Sequence, residues 1–350
     1  DPYGGAARYA DKAYKDQIYN DDQFCLDAAT GKQLWRQICP GGSIADVGYG
    51  VKCSGTPAVA DGKVFVRGSG GLHCLDAKQG TVLWRVKGPG GFSSPVVSKG
   101  VVYCYADNTP TTPGAVTPVS LAAFDAQTGR ELWRQPKVQN AYQTPALWIH
   151  EGKTYILGGV EKGPVYCLEG GTGKILWSAK SGAEYQSPVV SGNILVVRGY
   201  ECTAYALSPE KATQLWTTPG TGDHSGTSPV IYNGHVYCVS QCYSHKFLKV
   251  LDLKDGKIIL DVGLAETKCM SVGSTPIIAD GLVFVCVSYT QSHQTAFLAF
   301  KATPDKYEEV GLLSNKTMGS PLSTVALADG LLYVRLKEAV ACYDIREPGK

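Results

Sequence analysis

The sequence has little of what marks several common protein classes. It contains only 2 methionines, and no run of 18 apolar residues that could span a membrane as a helix. It contains no adjacent Cys-Cys pair and no Cys-x-x-Cys-His haem-attachment motif. Lys+Arg number 33 against 31 Asp+Glu, so the net charge is only +2. That balance argues against a nucleic-acid-binding protein, which usually carries a basic excess.

What is abundant favours strands and tight turns. The 350 residues include 41 glycines and 20 tyrosines, and 44% of them are hydrophobic. No stretch shows apolar residues at a sustained helical spacing. Many glycines and aromatics with few helix formers are typical of β-strands joined by short turns, so we predict an all-β fold.

Internal repeats give this fold its form. One pattern, Leu-Asp-Ala or Phe-Asp-Ala followed by a Gly turn and Leu-Trp, ends at Trp35, Trp84 and Trp133, with a further copy ending at Trp177 and a weaker one at Trp216. Ser/Thr-Pro alternates with it, and from Pro57 to Pro321 six steps cover 264 residues, or 44 per step. A pair ending in glycine follows each proline by a few residues, and those with Asx before the glycine, such as Asp61-Gly62 and Asn233-Gly234, are the strongest predictors of tight hairpins.

The repeat therefore predicts four antiparallel strands, named A to D in chain order. The length of this repeat matches the period of a propeller blade. Eight copies of strand C, from about 23–28 to about 339–345, predict an eight-bladed β-propeller formed by a single domain, residues 1–350. The first copy lacks a clear strand A and the last lacks strand D. Seven blades are the alternative, with the strand of Trp35 completing the final blade.

The Asp-Ala-x-Thr-Gly-x-x-x-Trp pattern resembles the tryptophan-docking motif of the PQQ-repeat β-propeller family. That family includes BamB-like proteins and quinoprotein alcohol dehydrogenases, and the resemblance covers nearly the whole chain. It implies that the motif tryptophans pack between neighbouring blades as structural residues. These are Trp35, Trp84, Trp133, Trp177 and Trp216.

Strand order places the D-to-A and B-to-C loops on one face of the propeller and the short Gly turns on the other. Because variable loops on a rigid frame usually carry function, a ligand would bind at the channel mouth on the loop face. The alternative, which we favour, is that the polar side chains there only fill or solvate the rim of the channel. The candidate ligand-binding residues flank strands A or end strands B. They are Tyr142, Gln143, Glu184, Tyr185, Gln186, Asp223, His224, Arg67, Arg198 and Arg335.

Two functions compete for this face. The first is a non-catalytic binding or scaffold module, BamB-like in architecture, that holds a protein or glycan partner. The second, implied by the same resemblance, is a PQQ-dependent quinoprotein dehydrogenase with PQQ and Ca²⁺ in the central channel. Calcium needs six or more oxygen ligands, and no acidic cluster at a suitable spacing is evident. We therefore assign no catalytic residue and no metal ligand, and favour the binding module.

The 12 cysteines bear on localisation. The resemblance favours an exported protein, periplasmic or extracellular, yet so many cysteines are unusual in an oxidising compartment unless they are buried or paired. Cys25, Cys74 and Cys167 occupy one repeat position, while Cys104 and Cys238 close B strands. We expect cysteines at equivalent positions to be small buried strand residues, too far apart to pair with one another.

Overall fold

The computed structural model describes most of the chain. The described residues are 20–40, 55–68, 70–88, 92–106, 119–140, 142–221, 227–240, 246–263, 269–272, 274–289, 294–314, 325–336 and 339–346. Every regular element in these ranges is a β-strand, and every strand pairing is antiparallel. None of these residues lies in a helix of the length and apolarity that crossing a membrane requires.

The chain divides into two compact units, residues 1–180 with 209–211, and residues 181–208 with 212–350. The first unit contains a hairpin and three four-stranded sheets in strict sequence order. Their strands are β1 (Asp21–Leu26), β2 (Gln33–Cys39); β3 (Ala58–Ala60), β4 (Lys63–Gly68), β5 (Gly71–Asp76), β6 (Val82–Lys87); β7 (Val96–Ser98), β8 (Val101–Tyr105), β9 (Val119–Asp125), β10 (Glu131–Asn140); and β11 (Ala146–His150), β12 (Lys153–Gly159), β13 (Val165–Glu169), β14 (Ile175–Ala179).

The second unit repeats this pattern with two four-stranded sheets, one five-stranded sheet and one three-stranded sheet. In the five-stranded sheet, β23 and β24 both pair with β25, so strand A of that blade is split in two. The strands are β15 (Val189–Ser191), β16 (Ile194–Arg198), β17 (Cys202–Leu207), β18 (Ala212–Thr218); β19 (Val230–Tyr232), β20 (His235–Val239), β21 (Lys246–Asp252), β22 (Ile258–Gly263); β23 (Cys269–Val272), β24 (Ile277–Ala279), β25 (Leu282–Tyr289), β26 (Gln294–Lys301), β27 (Glu309–Ser314); and β28 (Ala326–Ala328), β29 (Leu331–Arg335), β30 (Val340–Asp344).

The prediction of eight blades is wrong, and the fold is a seven-bladed β-propeller. Among the described strands, seven sheets contain three or more strands, and six of these contain at least four. The remaining copy of strand C, which is the first in the sequence, is β1, and it pairs with β2 in a sheet of only two strands. Counting copies of strand C overestimates the blades because a C–D hairpin can occur without strands A and B.

The repeated turns lie together at one end of each blade. Asp61 and Gly62 both have positive φ, 48° and 70°, as a tight hairpin of the mirror-image type requires. The amide of Ala77, which begins the C–D turn, donates to the carbonyl oxygen of Gly62 at 2.9 Å. The blade of β7–β10 repeats this bond from Ala126 to Gly100. Both kinds of turn therefore share one end, and the D–A and B–C loops leave from the other.

Neighbouring blades bury apolar side chains face to face within each unit. Phe65 and Leu72 of one blade form a core with Val102 and Phe124 of the next, all of them at most 1% exposed. In the second unit a core cluster joins Val196 and Ala204 to Val236 and Leu251 in the same manner. A blade of four strands has two apolar faces, and stacking on its neighbours removes both from water.

The tryptophans of strand D contact the C–D turn of the following blade. The indole Nε1 of Trp84 donates to the carbonyl oxygen of Ala126 at 3.2 Å, and its rings cover Gly129, where an added Cβ would lie 2.7 Å from the indole. Trp35, Trp133 and Trp216 make the same two contacts, with Ala77 and Gly80, Gly170 and Gly173, and Leu253 and Gly256. The glycine of the turn thus supplies positive φ and also leaves space for the indole.

The Ser/Thr-Pro motifs connect blades at the opposite end. The amide of Thr56 donates to Ser94 Oγ at 2.8 Å, and the amide of Ser94 donates to Thr144 Oγ1 at 3.1 Å. In the second unit the amide of Ser187 donates to Ser228 Oγ at 2.9 Å, and that of Ser228 to Thr275 Oγ1 at 3.1 Å. Each hydroxyl therefore satisfies an amide of the preceding blade, which explains why the position before proline is always Ser or Thr.

Candidate functional site

The arginines predicted at the channel mouth occupy one position, the fifth residue of strand B, in three blades. Arg67 is 1% exposed and Arg198 is 0% exposed, whereas Arg335 is exposed. Asp223 and His224 lie outside the described residues. Sequence position alone therefore groups side chains with quite different access to a ligand, and ligand binding by these residues stays a prediction.

Arg198 joins two blades of the second unit. Its Nη1 donates to the carbonyl oxygen of Val239 at 2.7 Å, the same position in strand B of the next blade. Nη1 also donates to Thr227 Oγ1 at 3.1 Å, and Nη2 donates to Ser240 Oγ at 2.8 Å. A further bond runs from Nε to the carbonyl oxygen of Thr221 at 3.0 Å. A buried guanidinium needs such a set of oxygens to replace its lost hydration.

Arg67 begins an equivalent series in the first unit. Its Nη1 donates to the carbonyl oxygen of Tyr105, which holds the same strand position in the next blade. The hydroxyl of Tyr105 in turn donates to the carbonyl oxygen of Gly159, one blade further, at 2.7 Å. Burial raises the pKa of Tyr105 far above its usual range, so the phenol keeps its proton for this bond. Three blades are thus connected by buried polar side chains just beneath the loop face.

Above this layer, a side-chain amide fixes the D–A loop between β10 and β11. Asn140 is fully buried, and its Oδ1 accepts from the backbone amides of Tyr142 and Gln143, both at 2.8 Å. Its Nδ2 donates to the carbonyl oxygen of Gly159 at 3.4 Å. Gln143 is 1% exposed and its amide lies against Gly159, where no Cβ would fit. The loop is therefore held by its own side chains and by strand B.

This support positions an aromatic pair. The rings of Phe92 and Tyr142 stack with centroids 5.2 Å apart and planes 18° from parallel. Both side chains are half-buried. Each lies three residues before the proline of its blade, so the same loop position in adjacent blades supplies both rings. Offset stacking at this distance is a favourable aromatic arrangement.

The equivalent loop of the second unit contains the other predicted residues. Gln186 is 2% exposed, and its Oε1 accepts from the backbone amides of Glu184 at 3.2 Å and Tyr185 at 3.3 Å. Glu184 and Tyr185 are half-buried. An amide side chain again organises the loop, and the tyrosine again occupies the position three residues before proline.

Sequence reasoning missed one residue of this site, Asn140, because its role depends on a hydrogen bond to strand B of its neighbouring blade. Phe92 matches Tyr142 and Tyr185 in repeat position, and the sequence already places it before a strand A at the channel mouth, although it is not among the candidate ligand-binding residues.

The described residues bring no group of three or more His, Cys, Asp or Glu side chains together that could hold a metal ion. Calcium takes six to eight oxygen ligands, commonly carboxylates, so this part of the chain does not fit the Ca²⁺ ion that would accompany PQQ.

Comparisons with solved structures show the fold. BamB from Moraxella catarrhalis is similar with a TM-score of 0.63 and 13% identity, over 93% of this chain and 92% of that one. The computationally designed Ika8 protein is similar with a TM-score of 0.66 and 14% identity, over 95% and 91%. A europium-containing methanol dehydrogenase is similar with a TM-score of 0.61 and 13% identity, over 85% and 77%.

No curated protein matches the chain significantly in sequence. A family model does match it, over residues 23–159 and 119–347, which together extend across nearly the whole chain. The chain therefore belongs to the PQQ-repeat family whose model is described as outer membrane protein assembly factor BamB.

Proposed function

We propose that this chain is a non-catalytic binding module whose D–A and B–C loop face holds a partner protein. The family to which it belongs is described as an outer membrane protein assembly factor, and a factor of that kind acts by contacting other proteins. The near-neutral charge of +2 gives no support to a nucleic-acid partner. We infer from the same family that the chain is exported.

The observation that carries the proposal is the stacked pair of Phe92 and Tyr142. Aromatic residues are enriched at the energetic centres of protein interfaces because they supply large contact areas with few rotatable bonds. Both residues are half-buried, so part of each remains accessible to a partner.

The order of the loop that contains Tyr142 supports this proposal. Asn140 fixes the loop of Tyr142 by three hydrogen bonds, and the buried series from Arg67 to Gly159 holds the strands beneath it. A loop that is already ordered loses little conformational entropy when a partner binds. The rigid support and the aromatic pair together describe an anchor for a protein surface.

A capture experiment with matched variants tests the proposal. The wild-type chain, the double variant Phe92→Ala/Tyr142→Ala and the control Leu83→Ala are immobilised and exposed to a solubilised cell-envelope extract. Leu83 is an apolar residue of strand β6 that is 49% exposed. We expect one dominant protein, identified by mass spectrometry, to be held by the wild type and by Leu83→Ala and reduced at least tenfold by the double variant.

Near-UV circular dichroism of each variant shows whether it is folded. Equal capture by the double variant and the wild type would reject the aromatic anchor. The quinoprotein alternative is tested on the same preparation by adding PQQ with Ca²⁺ and measuring thermal shift and dye-linked alcohol oxidation. A shift together with turnover would overturn the non-catalytic assignment.

A further inference from the structure

Two cysteines of the second unit face each other across adjacent blades. Cys202 begins β17, and Cys238 lies in β20 of the next blade. Both are 0% exposed, and both belong to the core cluster that Val196, Trp216 and Leu251 help to form. They hold different positions in the repeat, one on strand C and one on strand B. The expectation that repeated cysteines are too far apart to pair applies to equivalent positions and does not extend to these two.

Their thiols are in direct contact. A side-chain hydrogen bond to Cys238 is the foremost cause that raises the pKa of Cys202 well above its usual value, followed by burial and the proximity of the Cys238 thiol itself. Cys167, also fully buried, differs, because burial is the cause of its raised pKa of about 12. Contact between two thiols is thus a specific feature of the Cys202–Cys238 pair.

We propose that Cys202 and Cys238 form a disulfide that links two neighbouring blades of the second unit. The reaction is thiol–disulfide exchange with an oxidant of the disulfide class, such as glutathione disulfide or a disulfide oxidoreductase. Two Sγ–H bonds and the S–S bond of the oxidant break, and one Sγ–Sγ bond forms. The two protons and two electrons leave with the oxidant as a pair of thiols, so the cysteines are oxidised and the oxidant is reduced.

The buried position of the two cysteines determines both how the disulfide can form and when it forms. The two thiols pack in one core cluster within hydrogen-bonding reach, and they must approach further to reach the disulfide length of about 2.05 Å. Complete burial and the scarcity of thiolate make attack on an outside oxidant slow once the blades have packed. We therefore expect the bond to form while the chain folds, and to persist afterwards because the same burial excludes reductants.

The test is refolding under controlled redox conditions. The full chain is denatured with a reductant, refolded either with reduced glutathione or with a mixture of reduced and oxidised glutathione, alkylated with N-ethylmaleimide and digested with trypsin. Cys202 lies in peptide 199–211 and Cys238 in peptide 212–246. We expect the two peptides to be joined in the oxidised sample alone, with two fewer alkylated thiols per chain and a higher Tm than in the reduced sample.

Single substitutions show which two cysteines form the disulfide. Peptide 212–246 also contains Cys242, so the joined species must persist in Cys242→Ser and disappear in Cys238→Ala and in Cys202→Ala. Cys167→Ala is the matched buried control and must leave it unchanged. Two outcomes would overturn the proposal: no joined peptides from the oxidised wild type, or loss of the joined peptides in Cys242→Ser. Both observations use chains whose Cys202 and Cys238 are intact, so neither depends on whether Cys202→Ala or Cys238→Ala folds.

Discussion

At the scale of the single residue, the environment of a side chain decides what a repeated position does. Arg198 and Arg335 share one position of strand B, yet the first is fully buried with donors directed at backbone and hydroxyl oxygens and the second is exposed. A repeat motif therefore specifies strand and register, while the neighbouring blade specifies whether the position is structural or available.

These two arginines form a matched pair for mutation. Arg198→Met removes the donors of five hydrogen bonds and leaves buried carbonyl and hydroxyl oxygens unsatisfied. Each such acceptor costs about 1–3 kcal/mol, so we expect a loss of at least about 3 kcal/mol in the free energy of unfolding. Arg335→Met at the exposed site should change it by less than about 0.5 kcal/mol. Urea denaturation of both variants measures the difference, and equal losses would contradict this assignment.

His73 offers a pH-dependent test. It is 0% exposed on β5, and burial, aided by the charge of Arg85, lowers its pKa from 6.5 to about 4 against the opposing effect of a backbone hydrogen bond at Gly71. The unfolded chain binds the proton near pH 6.5 and the folded chain only near pH 4. Stability from this residue is therefore complete above pH 6.5 and is lost as the pH falls towards 4.

Between pH 7 and pH 5 the wild type should lose about 2 kcal/mol through His73. His73→Leu keeps an apolar side chain at the site and removes the titrating group, so its free energy of unfolding should fall less over this interval by that amount. Urea unfolding at the two pH values provides the comparison. A variant with the same pH slope as the wild type would show that the ring is protonated inside the fold.

At the scale of the element, the blade was largely predictable and its loops were not. Strands, Asx-Gly turns and the glycines under the tryptophans follow from local chemistry, because φ, register and alternation are set within a few residues. The blade number failed because the copy at β1 has the motif of strand C without strands A and B. Asn140 was not predicted because it acts through strand B of the next blade, which no local pattern encodes.

Two glycines of one sheet separate backbone strain from tryptophan docking. Gly129 and Gly100 have φ of 72° and 74°, but a Cβ would lie 2.7 Å from Trp84 at Gly129 and would meet nothing within 4 Å at Gly100. Alanine at either site costs about 1–2 kcal/mol for the left-handed backbone. We expect Gly129→Ala to cost clearly more than Gly100→Ala in thermal and urea unfolding. In a Trp84→Ala background the two costs should become equal, and a persistent excess would show that the indole is not the cause.

At the scale of the whole molecule, the cysteines report on how completely the blades pack. Of the nine cysteines whose side chains the structure describes, seven are buried, Cys25 is half-buried and Cys342 is exposed. Burial raises the pKa of Cys39, Cys74 and Cys104 to about 11, and that of Cys167 and Cys286 to about 12. At pH 8 these thiols are almost entirely protonated and also shielded from reagents, and both effects suppress their reactivity.

The number of thiols that react in the native protein tests how completely the blades pack. A variant with serine at Cys53, Cys242 and Cys269 retains only these nine cysteines. After full reduction and removal of the reductant, two thiols, Cys25 and Cys342, should react rapidly with a chromogenic disulfide reagent at pH 8. The other seven should react only after denaturant is added, and Cys342→Ser should reduce the rapid class to one. A rapid class larger than two would mean that blades open in the native state, because only separation of their faces exposes the buried sulfurs.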